Sequence, residues 1–246
     1  MHVPLVVSLA ALLIAPAAAC APMPSATSPP LTPSSSPSLT PSPSPLASAS
    51  SQSIAIAVTF YPQRDPDWCD PADLEMWLEL DGAPLPASET AAQRALWNYE
   101  IAHNDGFTLQ QWHASPYAVA ATFDHFAGRS DVGDAAFDSL SAGGDRLSQS
   151  LTAGQPAIVL VDRGTHHVLV KGATLGPSGS AAPPLSVDVA DPWTYSPTRD
   201  GFPAMGQDTT LSWSDFSQRF TADDPQDPGI WSGKWVVIAI GLPLSG

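Results

Sequence analysis

YPQRDPDWCDPADLEMWLEL, residues 61–80, is the stretch from which the rest of the chain is read. Leu74, Trp77 and Leu78 share one face at helical spacing, and Asp81-Gly82 follows as a stop signal. The spacing predicts a helix from Pro71 to about Leu80. A residue before proline avoids helical dihedrals, so Asp70 is expected to cap that helix. Cys69 then falls at the helix N-terminus, where the dipole favours a thiolate. The sequence holds 2 cysteines, and the other is Cys20.

Toward the N-terminus lies MHVPLVVSLAALLIAPAAAC (1–20). The apolar run from Val3 to Ile14 is too short to span a bilayer. It resembles a secretory signal, with residues 1–19 as the peptide to be removed. Ala17-Ala18-Ala19 fits ordinary signal peptidase. Ala19-Cys20 resembles a bacterial lipobox, which would make Cys20 a lipidation site. Both readings place the mature protein outside the cytoplasm, in the extracellular space or anchored at a cell surface. Residues 20–53 are rich in Pro, Ser and Thr and carry no charge. They cannot bury a core and are expected to form a disordered stalk, about 100 Å long at ~3.1 Å per residue. In an oxidising compartment a lone thiol has two readings, a reactive group or a small buried hydrophobe.

Toward the C-terminus the folded domain is expected over 54–244. IAIAVTF (54–60) alternates as a strand. Ser88 should cap a helix reaching His103, with Ala92, Leu96, Tyr99 and His103 on one side. Ser115-Pro116 opens another that stops before Gly128. A short helix is predicted over 145–152. The second half turns β-branched at 157–161, 166–173, 185–190 and 234–240, with a helix predicted over 211–220. Helices first and strands later predict an α+β fold, with the N-terminal helices packed on a mostly antiparallel C-terminal sheet.

The totals narrow the function. Hydrophobic residues make up 43%, enough for a core, and 24 acidic residues against 9 basic give a net charge of −15. That charge disfavours nucleic acid and anionic membranes, so contact with a membrane is expected only through an N-terminal lipid. No cofactor motif is present, and no metal site is expected. His103, His113 and His125 lack metal-ligand spacing, and the acidic run 223–227 lacks the regular spacing of a calcium loop.

What remains is Gln63, Cys69, the pair His166-His167, and Asp191 ahead of Pro192-Trp193. Cysteine acyl transfer needs a thiolate, an imidazole that shuttles the proton, a group that orients it, and donors for the oxyanion. Each has a candidate here. Consecutive side chains of a strand point to opposite faces, so only one of the two histidines can serve.

With these pieces in order, the chain resembles papain-like cysteine peptidases, and within them the bacteriocin-processing (double-glycine leader) peptidase-like group, peptidase family C39. The carrying motifs are Gln63-x5-Cys69 with Pro71-Ala72, then HHVLVKG (166–172), then Asp191-Pro192-Trp193. The resemblance covers roughly 56–240 and implies a papain-like fold and hydrolysis of a peptide or protein substrate. It assigns Cys69 as nucleophile, His166 as base, Asp191 as its orienting group and Gln63 as oxyanion donor. His166 is preferred over His167 because the family histidine precedes a glycine by six residues, as His166 precedes Gly172. Trp193 takes the place of an aromatic that shields the triad from water. One departure stands out: the family glycine after the cysteine is Asp70 here, a like charge beside the thiolate. Asp70 keeps two other readings open, a catalytically inactive papain-like domain acting as a cell-surface binding module, and acyl transfer to an amine with the same residues.

Overall fold

A computed structural model describes residues 50–199 and 201–245. The N-terminal apolar segment, Cys20 and nearly all of the expected stalk lie outside the described residues. The elements are β1 (Gln52–Ala55), α1 (Cys69–Asp81), α2 (Glu89–Ala102), α3 (Pro116–Ala127), β2 (Val132–Phe137), α4 (Leu140–Thr152), β3 (Ala157–Val161), β4 (His166–Leu175), β5 (Ser186–Ala190), β6 (Thr198–Arg199), β7 (Phe202–Pro203), β8 (Thr209–Ser212), α5 (Trp213–Phe216) and β9 (Trp235–Ile240).

Seven strands form the main sheet, in the order β2-β9-β3-β4-β5-β8, with β1 paired to β4 beside that path. Every pairing is antiparallel. The fold is therefore α+β, with α1–α3 covering one face. Leu74, Trp77, Leu96, Ala118 and Phe123 pack there against Ile158, Leu169, Ala190 and Ile238. On the other face Leu147, Leu151, Phe216 and Phe220 pack against Val159, Val161, Val168, Val170 and Val189. The even-numbered valines of β4 thus belong to one layer and Leu169 to the other, as a strand's period of two requires.

Helix α1 is buried without a break from Cys69 to Leu78. A helix buried all round is a core helix, which explains why its apolar periodicity is weak. Its C-terminus follows the sequence signal: Gly82 is left-handed at φ 78°, and Ala83 N–H donates to the Leu78 carbonyl over 2.9 Å. Ser88 and Ser115 cap α2 and α3 through the amides of Ala91 and Ala118. Asp70, by contrast, is no cap. The helix starts at Cys69, its cap residue is Trp68, and no side chain completes the cap. Pro71 is tolerated because first-turn amides have no intrahelical partner to lose.

Other expectations shift. The strand predicted at 54–60 lies at Gln52–Ala55, so it begins inside the segment expected as stalk. The buried side of α2 is Ala92, Gln93, Leu96 and Glu100, and His103 is exposed. The helix expected over 211–220 is a strand to Ser212 followed by one turn, Trp213–Phe216. Helix α4 starts at Leu140, five residues early, despite Gly143-Gly144. A Cβ on Gly144 would stand 2.8 Å from the Trp213 ring, so this glycine lets α4 approach closely.

Candidate active site

Cys69 opens α1 and is 7% exposed. Its sulfur lies 3.8 Å from Oδ1 of Asp70, the next residue of the helix. One donor atom each from Cys69, Asp70 and His167 falls within 4.8 Å of the others. These three line a cleft of about 270 Å³ together with Trp112, Thr165 and Arg199.

The turn before β4 explains why His167 is the histidine found there. Asp162, Arg163 and Gly164 all take positive φ, at 56°, 60° and 86°. Arg219 holds the turn by a two-pronged bond to the Asp162 carboxylate, at 2.5 Å on both sides. Beyond the turn His166 pairs with Val161 and His167 with Leu160. Val161 belongs to the layer of α4 and α5, and Leu160 packs with Trp112 and Trp231. His167 therefore faces the layer of α1, and His166 faces away from it. The expected partnership of Cys69 with His166 is corrected accordingly: His166 has no hydrogen bond to Cys69, and its Nδ1 is buried without a partner.

His166 does meet Asp191. Its Nε2 lies 2.8 Å from Oδ1, with both side chains 1% exposed. Asp191 also accepts the amides of Trp193 at 3.0 Å and Met205 at 2.7 Å. Burial alone would raise the Asp191 carboxyl, but the His166 bond and the two amides outweigh it and hold it below its usual range. Burial lowers His166 against the pull of Asp191. The pair is thus a carboxylate receiving an N–H from a neutral imidazole, which leaves Nδ1 as the bare acceptor.

Around the sulfur the balance differs. Burial pushes the Cys69 thiol well above its ordinary value and Asp70 pushes it further, while Arg199 and the His167 backbone pull the other way. Burial raises Asp70 to about 7. It drives His167 down to about 3, with His166 and Arg199 adding to the shift, and Nε2 of His167 is buried without a partner. The resting cluster is a thiol beside a neutral imidazole. The helix dipole favours the anion but does not overcome the desolvation.

Gln63 is placed near the site with its donors engaged. Its Nε2 donates to the carbonyls of Asp65 and Pro66, both at 2.9 Å, and its backbone N–H donates to Pro192. In these contacts it braces the loop leading into α1. The Trp193 ring lies 5.5 Å from the guanidinium of Arg199, which lines the cleft.

Sequence reasoning passed over Asp73 and Glu100, both fully buried behind Asp70. Burial raises both carboxyls well above the usual range; Asp191 and Asp70 add to it at Asp73, and Asp70 and Asp73 at Glu100. The signal was available: Asp73 is one turn after Cys69, and Glu100 continues the spacing of Ala92 and Leu96. The remaining histidines behave as helix and loop residues. His103 and His125 stack on Tyr99, and His113 lies 3.6 Å from Asp67 at the cleft wall.

The model of the Peptidase_C39 like family matches residues 55–222. No curated protein matches the chain. Among solved structures, it is similar to a double glycine motif protease from an AMS/PCAT transporter in complex with its leader peptide, at 13% identity and a TM-score of 0.45, covering 76% of this chain and 94% of that one. It is also similar to the peptidase domain of Streptococcus ComA, a bi-functional ABC transporter of a quorum sensing pathway. There the identity is 16% and the TM-score 0.42, with 73% of this chain and 96% of that one covered.

Proposed function

From the premise that this chain belongs to the Peptidase_C39 like family, we propose that it hydrolyses peptide bonds with Cys69 as nucleophile and His167 as proton acceptor. The observation that carries the reading is the placement of Cys69 at the start of a buried helix, beside a cleft that His167 also lines. The resting pair is neutral, so the thiol proton moves to His167 as the sulfur attacks the carbonyl carbon. The protonated imidazole then returns that proton to the leaving amine. The Cys69 amide at the open end of α1 is the nearest backbone donor for the oxyanion. In this reading Asp191 and His166 act together behind the site and fix the path of β4.

A second reading is favoured by specific contacts: a papain-like binding module without catalysis. Gln63 spends its donors on the loop, and Asp70 adds to the burial that keeps the thiol protonated. One experiment separates the two. Full-length protein and Cys69→Ala are incubated with a mixed peptide library and the products sequenced. Cleavage lost in Cys69→Ala supports the peptidase. No cleavage by either, with peptide retained by both, supports the module. Loss of cleavage in His166→Ala but not in His167→Ala would return the proton transfer to His166.

We place this activity outside the cytoplasm, on the strength of the apolar N-terminal segment and Cys20. Among the described residues no helix is long and apolar enough to cross a membrane.

A further inference from the structure

We propose that Cys69, Asp70 and His167 form a binding site for a soft divalent transition ion, with Zn²⁺ as the best fit. Their donor atoms lie within 4.8 Å of one another, and all three side chains are buried. Thiolate, imidazole and carboxylate are the three ligand types that Zn²⁺ takes from proteins. Zn–S near 2.3 Å and Zn–O near 2.0–2.2 Å across a tetrahedral angle imply a sulfur-to-oxygen edge of about 3.5 Å. The Cys69 sulfur and Asp70 Oδ1 stand 3.8 Å apart, within a small closing movement of that edge.

The second, independent observation is His167. Its side chain is 5% exposed, and its buried Nε2 has no hydrogen-bond partner. A buried polar atom without a partner is costly, and a coordinated ion removes the cost. Charge points the same way. One thiolate, one carboxylate and one neutral imidazole sum to −2, so Zn²⁺ makes the group neutral inside the protein. Sulfur and nitrogen among the donors select ions held by directional bonds to them over Ca²⁺ or Mg²⁺, which rely on charge and oxygen ligands. Three protein ligands leave a fourth position toward the cleft, so the ion would be exchangeable and would occupy the sulfur needed as nucleophile. The inference rests on the donor cluster and stands whether or not the domain cleaves peptides.

The test uses the full chain carrying Cys20→Ser, which leaves Cys69 as the sole thiol. Metal-free protein is titrated with Co²⁺ and Zn²⁺ under reducing conditions. One Co²⁺ per chain should give a thiolate-to-cobalt charge-transfer band that equimolar Zn²⁺ removes. Equimolar Zn²⁺ should also slow iodoacetamide alkylation of Cys69 at least tenfold, with recovery on adding a chelator. His167→Ala and Asp70→Asn, checked for native circular dichroism, should each weaken Zn²⁺ affinity tenfold or more. X-ray absorption at the zinc edge should report one sulfur among light-atom ligands. The proposal is overturned by the absence of a charge-transfer band, by a zinc shell without sulfur, or by unchanged affinity in folded His167→Ala. Zn²⁺ bound equally well by Cys69→Ser would also overturn it, since the ion would then sit elsewhere.

Discussion

His166 donates through Nε2 to Oδ1 of Asp191 over 2.8 Å, deep inside the protein, and the other nitrogen of its ring has no partner. Hydrogen bonds to a buried charge are among the stronger ones. Asp191→Asn removes the charge that His166 and the Trp193 and Met205 amides all face. We expect a loss of ~2 kcal/mol or more in chemical denaturation. The double mutant with His166→Gln should show a coupling of about 1 kcal/mol. Simple additivity of the two would mean the pair has no energetic link.

The thiol of Cys69 should titrate late. Burial and Asp70 raise it above the free-thiol value of ~8.5. In a Cys20→Ser background, alkylation by iodoacetamide should have its midpoint above that value, and Asp70→Asn should move it down and speed the reaction at neutral pH. A midpoint below 7 in the unsubstituted site would show that a thiolate–imidazolium pair forms after all.

Buried carboxyls make stability depend on pH with an acid-favouring sign. Asp70, Asp73 and Glu100 have raised values in the folded state, so the native protein holds protons that the unfolded chain releases above ~4. Their contribution is full at low pH and is lost as pH climbs through the raised values. His166 and His167 are lowered, so they remove stability only as pH falls below ~6.5. Between about 6.5 and 8 the acids act alone. Tm by calorimetry should therefore fall across that window. Glu100→Gln should flatten the fall and stabilise the protein at pH 8 by about 1–3 kcal/mol. A flat wild-type profile would contradict the burial of these groups as acids.

The proposed anchoring rests on Ala19-Cys20 and the charge-free stretch after it. In a bacterial host the wild-type chain should partition into detergent, and Cys20→Ser should release it or block its maturation. Equal amounts of both in the medium would leave ordinary secretion as the reading.

Local signals carried much of the architecture. Ser88, Ser115-Pro116 and Gly82 announced their helix ends because caps act within a few residues. The runs at 157–161 and 234–240 announced strands because they are almost wholly β-branched or apolar, and 185–190 because Leu185, Val187 and Val189 alternate with Ser186 and Asp188. Val132–Phe137 was not legible as a strand, since Gly133 and Asp134 interrupt its pattern. Asp134 is accommodated by the Trp231 indole, which donates to it over 2.6 Å across the fold. Gln63, Cys69, the two histidines and Asp191 could be singled out one by one, whereas the buried Asp73 and Glu100 were passed over. Which histidine meets the cysteine depends on a tertiary contact, Arg219 with Asp162, that no spacing in the sequence records.

That contact gives the turn at 162–164 a role like that of a reading frame. Two imidazoles stand in tandem on a strand whose sides alternate, and the turn fixes the phase in which they are presented. A single residue added between Asp162 and His166 would carry His166 into the layer of the thiol and leave the residue before it opposite the Asp191 carboxylate. A single residue removed would carry His167 to Asp191 and leave Val168 facing the thiol, so a shift in chain length of one residue would cost one of the two partnerships. Arg219, far from both in sequence, holds that choice.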